Sequence, residues 1–109
     1  MLLLHYDERP LVNRLVAKED LADALQRIDS SDGDAVVVDL GSNVATTSWV
    51  DGFLVPLMAS IGGRVTVIAG SEVSRAHIAR VFAARGLHVA VARSVDDVAR
   101  GATETVPAA

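Results

Sequence analysis

The chain contains no cysteine. Disulfides, thiolate nucleophiles and cysteine-based zinc or iron–sulfur sites are therefore excluded. Lysine occurs once, at Lys18, and neither G-x-x-x-x-G-K-[ST] nor G-x-G-x-x-G is present, so the usual phosphate cradles of nucleotide-binding proteins are missing. No G-x-S-x-G elbow occurs. Aromatic residues make up only 4% of the chain, which argues against a base-stacking platform. Cations are outnumbered, 10 Lys and Arg against 14 Asp and Glu, and the net charge of −4 disfavours a nucleic-acid or anionic-membrane surface. No apolar run approaches the ~18 residues of a membrane span. Met1–Leu4 is cut short by His5-Tyr6-Asp7-Glu8 and has no basic flank, so it does not resemble a signal peptide. The expectation is a cytoplasmic protein with no membrane insertion.

What is present is an aliphatic chain. Half of its 109 residues are hydrophobic, enough for one domain with one core. Leu2–Tyr6 reads as a first strand, closed by a turn at Asp7-Glu8-Arg9-Pro10. Leu11–Val16 is expected to be a second strand returning as a hairpin, although it also fits the start of a helix. Lys18–Ile28 reads as an amphipathic helix with Leu21, Ala24, Leu25 and Ile28 inward and Asp20, Asp23 and Arg27 on other faces. Ser30–Asp34 is a turn. Ala35–Leu40 is continuous and β-branched, as suits a strand covered on both sides in a parallel sheet.

A second helix follows, carrying Phe53, Leu54, Leu57, Met58 and Ile61. Pro56 implies a late start or a kink near Gly52. Arg64–Ala69 is a strand, Ser71 caps a helix with Ile78, Val81 and Phe82 inward, and Gly86 closes it. Leu87–Ala92 is the last expected strand and Ser94 caps a final helix, Val95–Arg100. The pattern is α/β: four to five strands, mostly parallel or mixed, covered by about four helices. Residues 1–102 form one domain, and 103–109 are expected to be a disordered tail.

Few residues suggest chemistry. His5, His77 and His88 have no partner at helical metal spacing, and Asp96-Asp97 reads as first-turn acids of the last helix. No metal ligands, cofactor or catalytic residues are assigned, and the chain is read as a non-enzyme. Interest concentrates after the central strand, because open parallel sheets bind at the carboxyl ends of their strands. There Ser42, Asn43, Thr46, Thr47, Ser48, Trp49 and Asp51 are the candidate partner-binding residues. Ser48 and Asp51 have capping-box spacing, with Ser48 expected to cap the helix. Trp49, the one tryptophan, is either a core anchor or an interface residue.

In element order and in several stretches the chain resembles a STAS domain, the fold of bacterial anti-sigma factor antagonists. Ala35-Val36-Val37-Val38-Asp39-Leu40 resembles that family's “vvvDLs” strand, and Gly62–Val67 its “gg.v.lv” strand entry. Ser71–Leu87 resembles the “s.evr..l...Gl” helix and Ser94–Val98 the “sleeA” last helix. The match covers residues 35 to 100 well and the first 34 in outline. Counting from Asp39, the family's “DS” phosphoacceptor dipeptide falls on Thr47-Ser48, with Thr47 in place of the acid. Ser48-Trp49-Val50-Asp51 also resembles the “SfadE” pattern of a divergent STAS-like branch.

The resemblance implies partner switching in transcription regulation. The unphosphorylated domain binds a serine kinase that is also an anti-sigma factor, and phosphorylation of Ser48, or Thr47, ejects it. A homodimer is a further option, and some members bind nucleotides. Two other readings stay open. One is a non-switching STAS subunit of a lipid-transport ABC system or a signalling scaffold. The other is a degenerate response-regulator receiver, because His5–Val12 resembles the receiver opening “vDDe.plv” and would leave Asp39 as phosphoacceptor. Against that one, Ala69 replaces the expected Thr or Ser and no Lys follows the last strand.

Overall fold

Short runs of branched apolar residues become the strands, and helices with one apolar side become the links between them. The computed structural model of the chain describes residues 1–30 and 33–108. Ser31 and Asp32, inside the expected turn Ser30–Asp34, lie outside the described residues, as does Ala109. The elements are β1 (Leu2–His5), α1 (Arg14–Asp29), β2 (Val36–Asp39) and α2 (Thr47–Trp49), which runs on through a π-helical turn (Val50–Leu54) into α3 (Val55–Ile61). A 3₁₀ turn (Gly62–Arg64) leads to β3 (Val65–Ile68), then α4 (Glu72–Arg85), β4 (Val89–Ala92), α5 (Val95–Ala99) and β5 (Glu104–Val106).

The five-stranded sheet has the order β1-β2-β3-β4-β5, parallel throughout except for β5, which pairs antiparallel with β4. The mostly parallel α/β architecture is as the patterning implies. Because neighbouring strands are consecutive in the chain, right-handed crossovers drop their helices on the same face of the sheet. That face carries the main core: Leu4, Val36, Val38, Val67 and Val91 under Ile28, Leu57, Ile78 and Phe82. The opposite face is thinner, with Leu3, Val37, Ile68 and Ala92 packed with Val98 of α5. The strand order never reverses, whereas the doubly wound order of receiver domains does. Among the described residues no helix is long and apolar enough to cross a membrane.

Three expectations are corrected. Leu11–Val16 is not a hairpin strand: Leu11 makes a single parallel bridge to Ala45, Asn13 accepts from the Val16 N–H as N-cap, and α1 starts at Arg14. A run of six residues was too short to separate strand from helix, and the cap decides for helix. The antiparallel edge is instead at the other end of the sheet, built by residues expected to fray. Glu104–Val106 pairs with Val89–Val91, and Val106 joins the core. The stretch closes an edge that would otherwise leave β4 unpaired.

Third, the helix after β2 begins early, at Thr47, and is widened rather than broken at Pro56. Lacking an N–H, Pro56 cannot bond to the preceding turn, and the Val55 N–H reaches back to the Val50 carbonyl instead. Gly52 lies in this π turn, where a Cβ would stand 2.9 Å from the Ala17 Cβ, so its missing side chain lets α1 pack closely against the turn.

Candidate functional site

The loop that delivers Thr47 and Ser48 is tied down on three sides. The Asn43 side-chain amide donates to the Tyr6 and Arg9 carbonyls at 2.9 and 2.6 Å. Ser74 of α4, fully buried, accepts from the Ala45 N–H at 2.9 Å and donates to the Asn43 carbonyl at 2.8 Å. His77 Nδ1 lies 2.8 Å from the Ala45 carbonyl, and the Thr46 N–H donates to the Leu11 carbonyl. Asn43 is therefore a structural clamp, Ser42 is exposed beside it, and the start of α2 is held in place from both the β1–α1 loop and α4.

The cap is not where the hydroxyl spacing suggests. Thr46 is the N-cap, its hydroxyl accepting from the Trp49 N–H at 3.2 Å. Ser48 is already inside the helix, and the Ser48–Asp51 capping box does not form. Three consecutive hydroxyl residues offer three registers, and the bond from Thr46 N–H to Leu11 selects the first. With Thr46 committed to the cap, the Thr47 and Ser48 hydroxyls carry no hydrogen bond among the described residues, and both residues are half-buried.

Trp49 points the other way and is corrected from candidate interface residue to core. It is fully buried, stacked on Phe53 with centroids 4.5 Å apart and rings 13° from parallel, and Tyr6 packs against both rings. Such aromatic pairs contribute about 0.5–1.5 kcal/mol each beyond area burial. The Trp49 Nε1–H donates to Asp20 at 3.0 Å, and Asp20 also receives the Arg9 guanidinium. Asp20, expected on an outer face of α1, is in fact 2% exposed. It supplies the acceptor that a buried indole needs. The Tyr6 hydroxyl is buried with no hydrogen-bond partner among the described residues, and burial, helped by the charge of Asp20, raises its pKa well above the usual phenol range.

Beside the start of α2 lies a cleft of about 400 Å³, lined by Arg14, Thr47, Ser48, Asp51, Arg80 and Arg85 among others. Asp51 does not face outward for a partner. Arg14 reaches it at 2.7 Å, and Arg85 grips it through two nitrogens, Nε at 3.0 Å and Nη2 at 2.7 to 2.9 Å. Partial burial pushes the Asp51 carboxyl up. The hydrogen bonds from Arg14 and Arg85, with their charges, outweigh that and hold it below the usual carboxylate range. Arg80 has no charged or hydrogen-bonding partner among the described residues. Three guanidiniums against one carboxylate make the cleft locally positive on a chain whose net charge is −4. Sequence reasoning missed these arginines. They come from two helices distant in sequence, and no local pattern marks them.

A second group gathers at the carboxyl ends of β1 and β2. His5, Asp7 and Asp39 bring one donor atom each to within 4.8 Å of one another. Of the residues nominated from sequence, Thr47, Ser48 and Asp51 thus share one cleft, Thr46 and Asn43 fix the chain that leads into it, Trp49 is core, and Asp39 belongs elsewhere. No protein-family model, curated protein or solved structure matches this chain.

Proposed function

We propose that the chain is a non-catalytic protein-interaction domain of the anti-sigma factor antagonist type, regulated by phosphorylation of Ser48, with Thr47 as the neighbouring alternative. The observation that supports this most is the division of labour among the hydroxyls: Thr46 caps the helix, leaving Ser48 unbonded and half-exposed in an arginine-lined cleft. A phosphate there adds about −1.5 to −2 charge. Arg14, Arg80 and Arg85 are positioned to neutralise it inside the domain's own fold, and the cap on Thr46 is undisturbed.

The same charge alters what the surface offers a partner. An unmodified cleft offers acidic groups of a bound protein the Arg80 guanidinium, unpartnered among the described residues, with Arg14 and Arg85 held on Asp51; a phosphate competes for that cation and repels the acids. The partner on this reading is a serine kinase doubling as an anti-sigma factor. Binding of the co-purifying kinase should be unchanged in Ser48→Ala and at least ~10-fold weaker in Ser48→Asp. Equal affinity of both variants for that kinase would reject the switch.

A further inference from the structure

The two buried acids among the described residues are treated differently by their surroundings. Asp20 has an arginine and an indole N–H; Asp39, 7% exposed, has no arginine or lysine partner among the described residues. One oxygen of Asp39 accepts the Gly41 N–H at 2.8 Å. The other faces His5 Nδ1 at 3.4 Å. A carboxylate taken out of water without a cation is costly unless one is supplied.

We propose that His5, Asp7 and Asp39 form a binding site for a divalent transition-metal ion of the zinc class. Register supports it first. His5 and Asp39 are direct partners on the parallel strands β1 and β2, at their carboxyl ends, so their side chains stand side by side on one face of the sheet. Distance supports it second. The 3.4 Å between His5 Nδ1 and Asp39 Oδ2 is long for a hydrogen bond, for which about 2.7–3.2 Å is usual. It equals the separation of roughly 3.4 Å that two ligands have on one tetrahedral ion with bonds near 2.1 Å.

The third support is how Asp7 arrives. Gly41 follows β2 with φ +55°, and a Cβ on it would stand 2.9 Å from the Asp7 Cβ. Any other residue there would push Asp7 away, so the turn that presents Asp39 is also shaped to admit Asp7. The donor set then selects the ion. Imidazole favours zinc and its neighbours over magnesium or calcium, and the carboxylates supply the charge. Three protein ligands leave a coordination position open, and exposed His5 and Asp7 put it on the solvent side. Arg9 does not compete for the acids, being held by Asp20.

The test is calorimetric titration of the full chain with zinc chloride, with magnesium chloride in parallel. One zinc site is expected, tighter than any magnesium binding. Loss of an outer-sphere partner alone weakens metal sites ~10-fold, so His5→Gln and Asp7→Asn should each weaken zinc by at least that. Both residues are exposed and their variants should fold; Asp39→Asn, checked for an intact melting transition, should do the same. Asp96→Asn, on α5, should leave zinc binding unchanged. Absence of zinc binding, zinc affinity unaltered in His5→Gln, or tighter magnesium than zinc would each overturn the assignment.

Discussion

Asp20 and Asp39 are both buried carboxylates, yet one is built into the fold and the other stands apart from it. Asp20 is sealed inside the fold, where it receives the Trp49 indole and the Arg9 guanidinium. Removing it leaves the buried indole N–H stranded. Asp39 sits at the end of β2 on the thinly covered face of the sheet, with a backbone N–H and a loosely placed imidazole as its company. The difference separates two kinds of buried acid. A satisfied one holds other groups in place and contributes to stability. One whose only ionic partner among the described residues is an exposed imidazole at 3.4 Å adds less to the free fold and leaves room for a cation. The two candidate sites differ as well: the cleft at Ser48 is walled by side chains from α1, the start of α2 and α4, and the His5–Asp7–Asp39 group rests on strand register and the Gly41 turn.

The largest effect should come from Asp20→Ala. The change strands the buried Trp49 Nε1–H, which costs about 1–3 kcal/mol, while the Arg9 side chain, 57% exposed, turns to water, and chemical denaturation should show a loss in that range. A loss below about 1 kcal/mol would mean that Asp20 does not anchor the Trp49 indole.

Next come the hydroxyls. Thr46→Ala should cost about 1 kcal/mol as a lost N-cap. Ser48→Ala should stay within about 0.5 kcal/mol of the wild type, as surface changes outside caps do. If the thermal melts show the reverse order, the cap is on Ser48 and the freedom of its hydroxyl is lost.

A smaller effect lies in the acid limb of stability. Asp51 is held below the usual carboxylate range by Arg14 and Arg85 in the folded protein. A carboxyl with a lowered folded value stabilises the fold above its unfolded value, near 3.9, and loses that contribution as pH falls through the folded one. Asp51→Asn should therefore flatten the decline of melting temperature below about pH 4 and have little pH-dependent effect near neutrality. An unchanged acid limb in that variant would contradict the ion-pair geometry.

The smallest change, and one of opposite sign, is expected for Asp39→Asn in metal-free buffer. The amide oxygen still accepts from Gly41 and a buried charge whose only ionic partner among the described residues is the His5 imidazole is gone, so stability should be equal or up to about 1 kcal/mol higher. A loss comparable to that of Asp20→Ala would erase the distinction between the two acids.

The sheet was legible because Val36–Val38 and the later strands are continuous branched runs bounded by glycine or hydroxyl caps. Ser71, Gly86 and Ser94 stand at the helix ends as expected. The hairpin and the frayed tail were misread for one reason: runs as short as Leu11–Val16 and Glu104–Val106 carry too few residues for periodicity to decide. Asp20 was placed outside because a carboxylate reads as solvent-facing. Only the fold reveals that Trp49 needs its acceptor there. Thr47 and Ser48 were nominated from sequence, but not the arginines that line the same cleft, which meet only when α1 and α4 pack beside α2. His5 and Asp39 are 34 positions apart and become neighbours through parallel register alone.

The proposal stands most directly on where phosphate is placed. The chain should be incubated with ATP and the kinase that co-purifies with it, and the site mapped by mass spectrometry at neutral and acid pH. The account predicts one acid-stable phosphate on Ser48, or on Thr47 beside it, absent from the Ser48→Ala, Thr47→Ala double variant. An acid-labile phosphate on Asp39, or modification only at other hydroxyls such as Ser42 or Ser71, would contradict it.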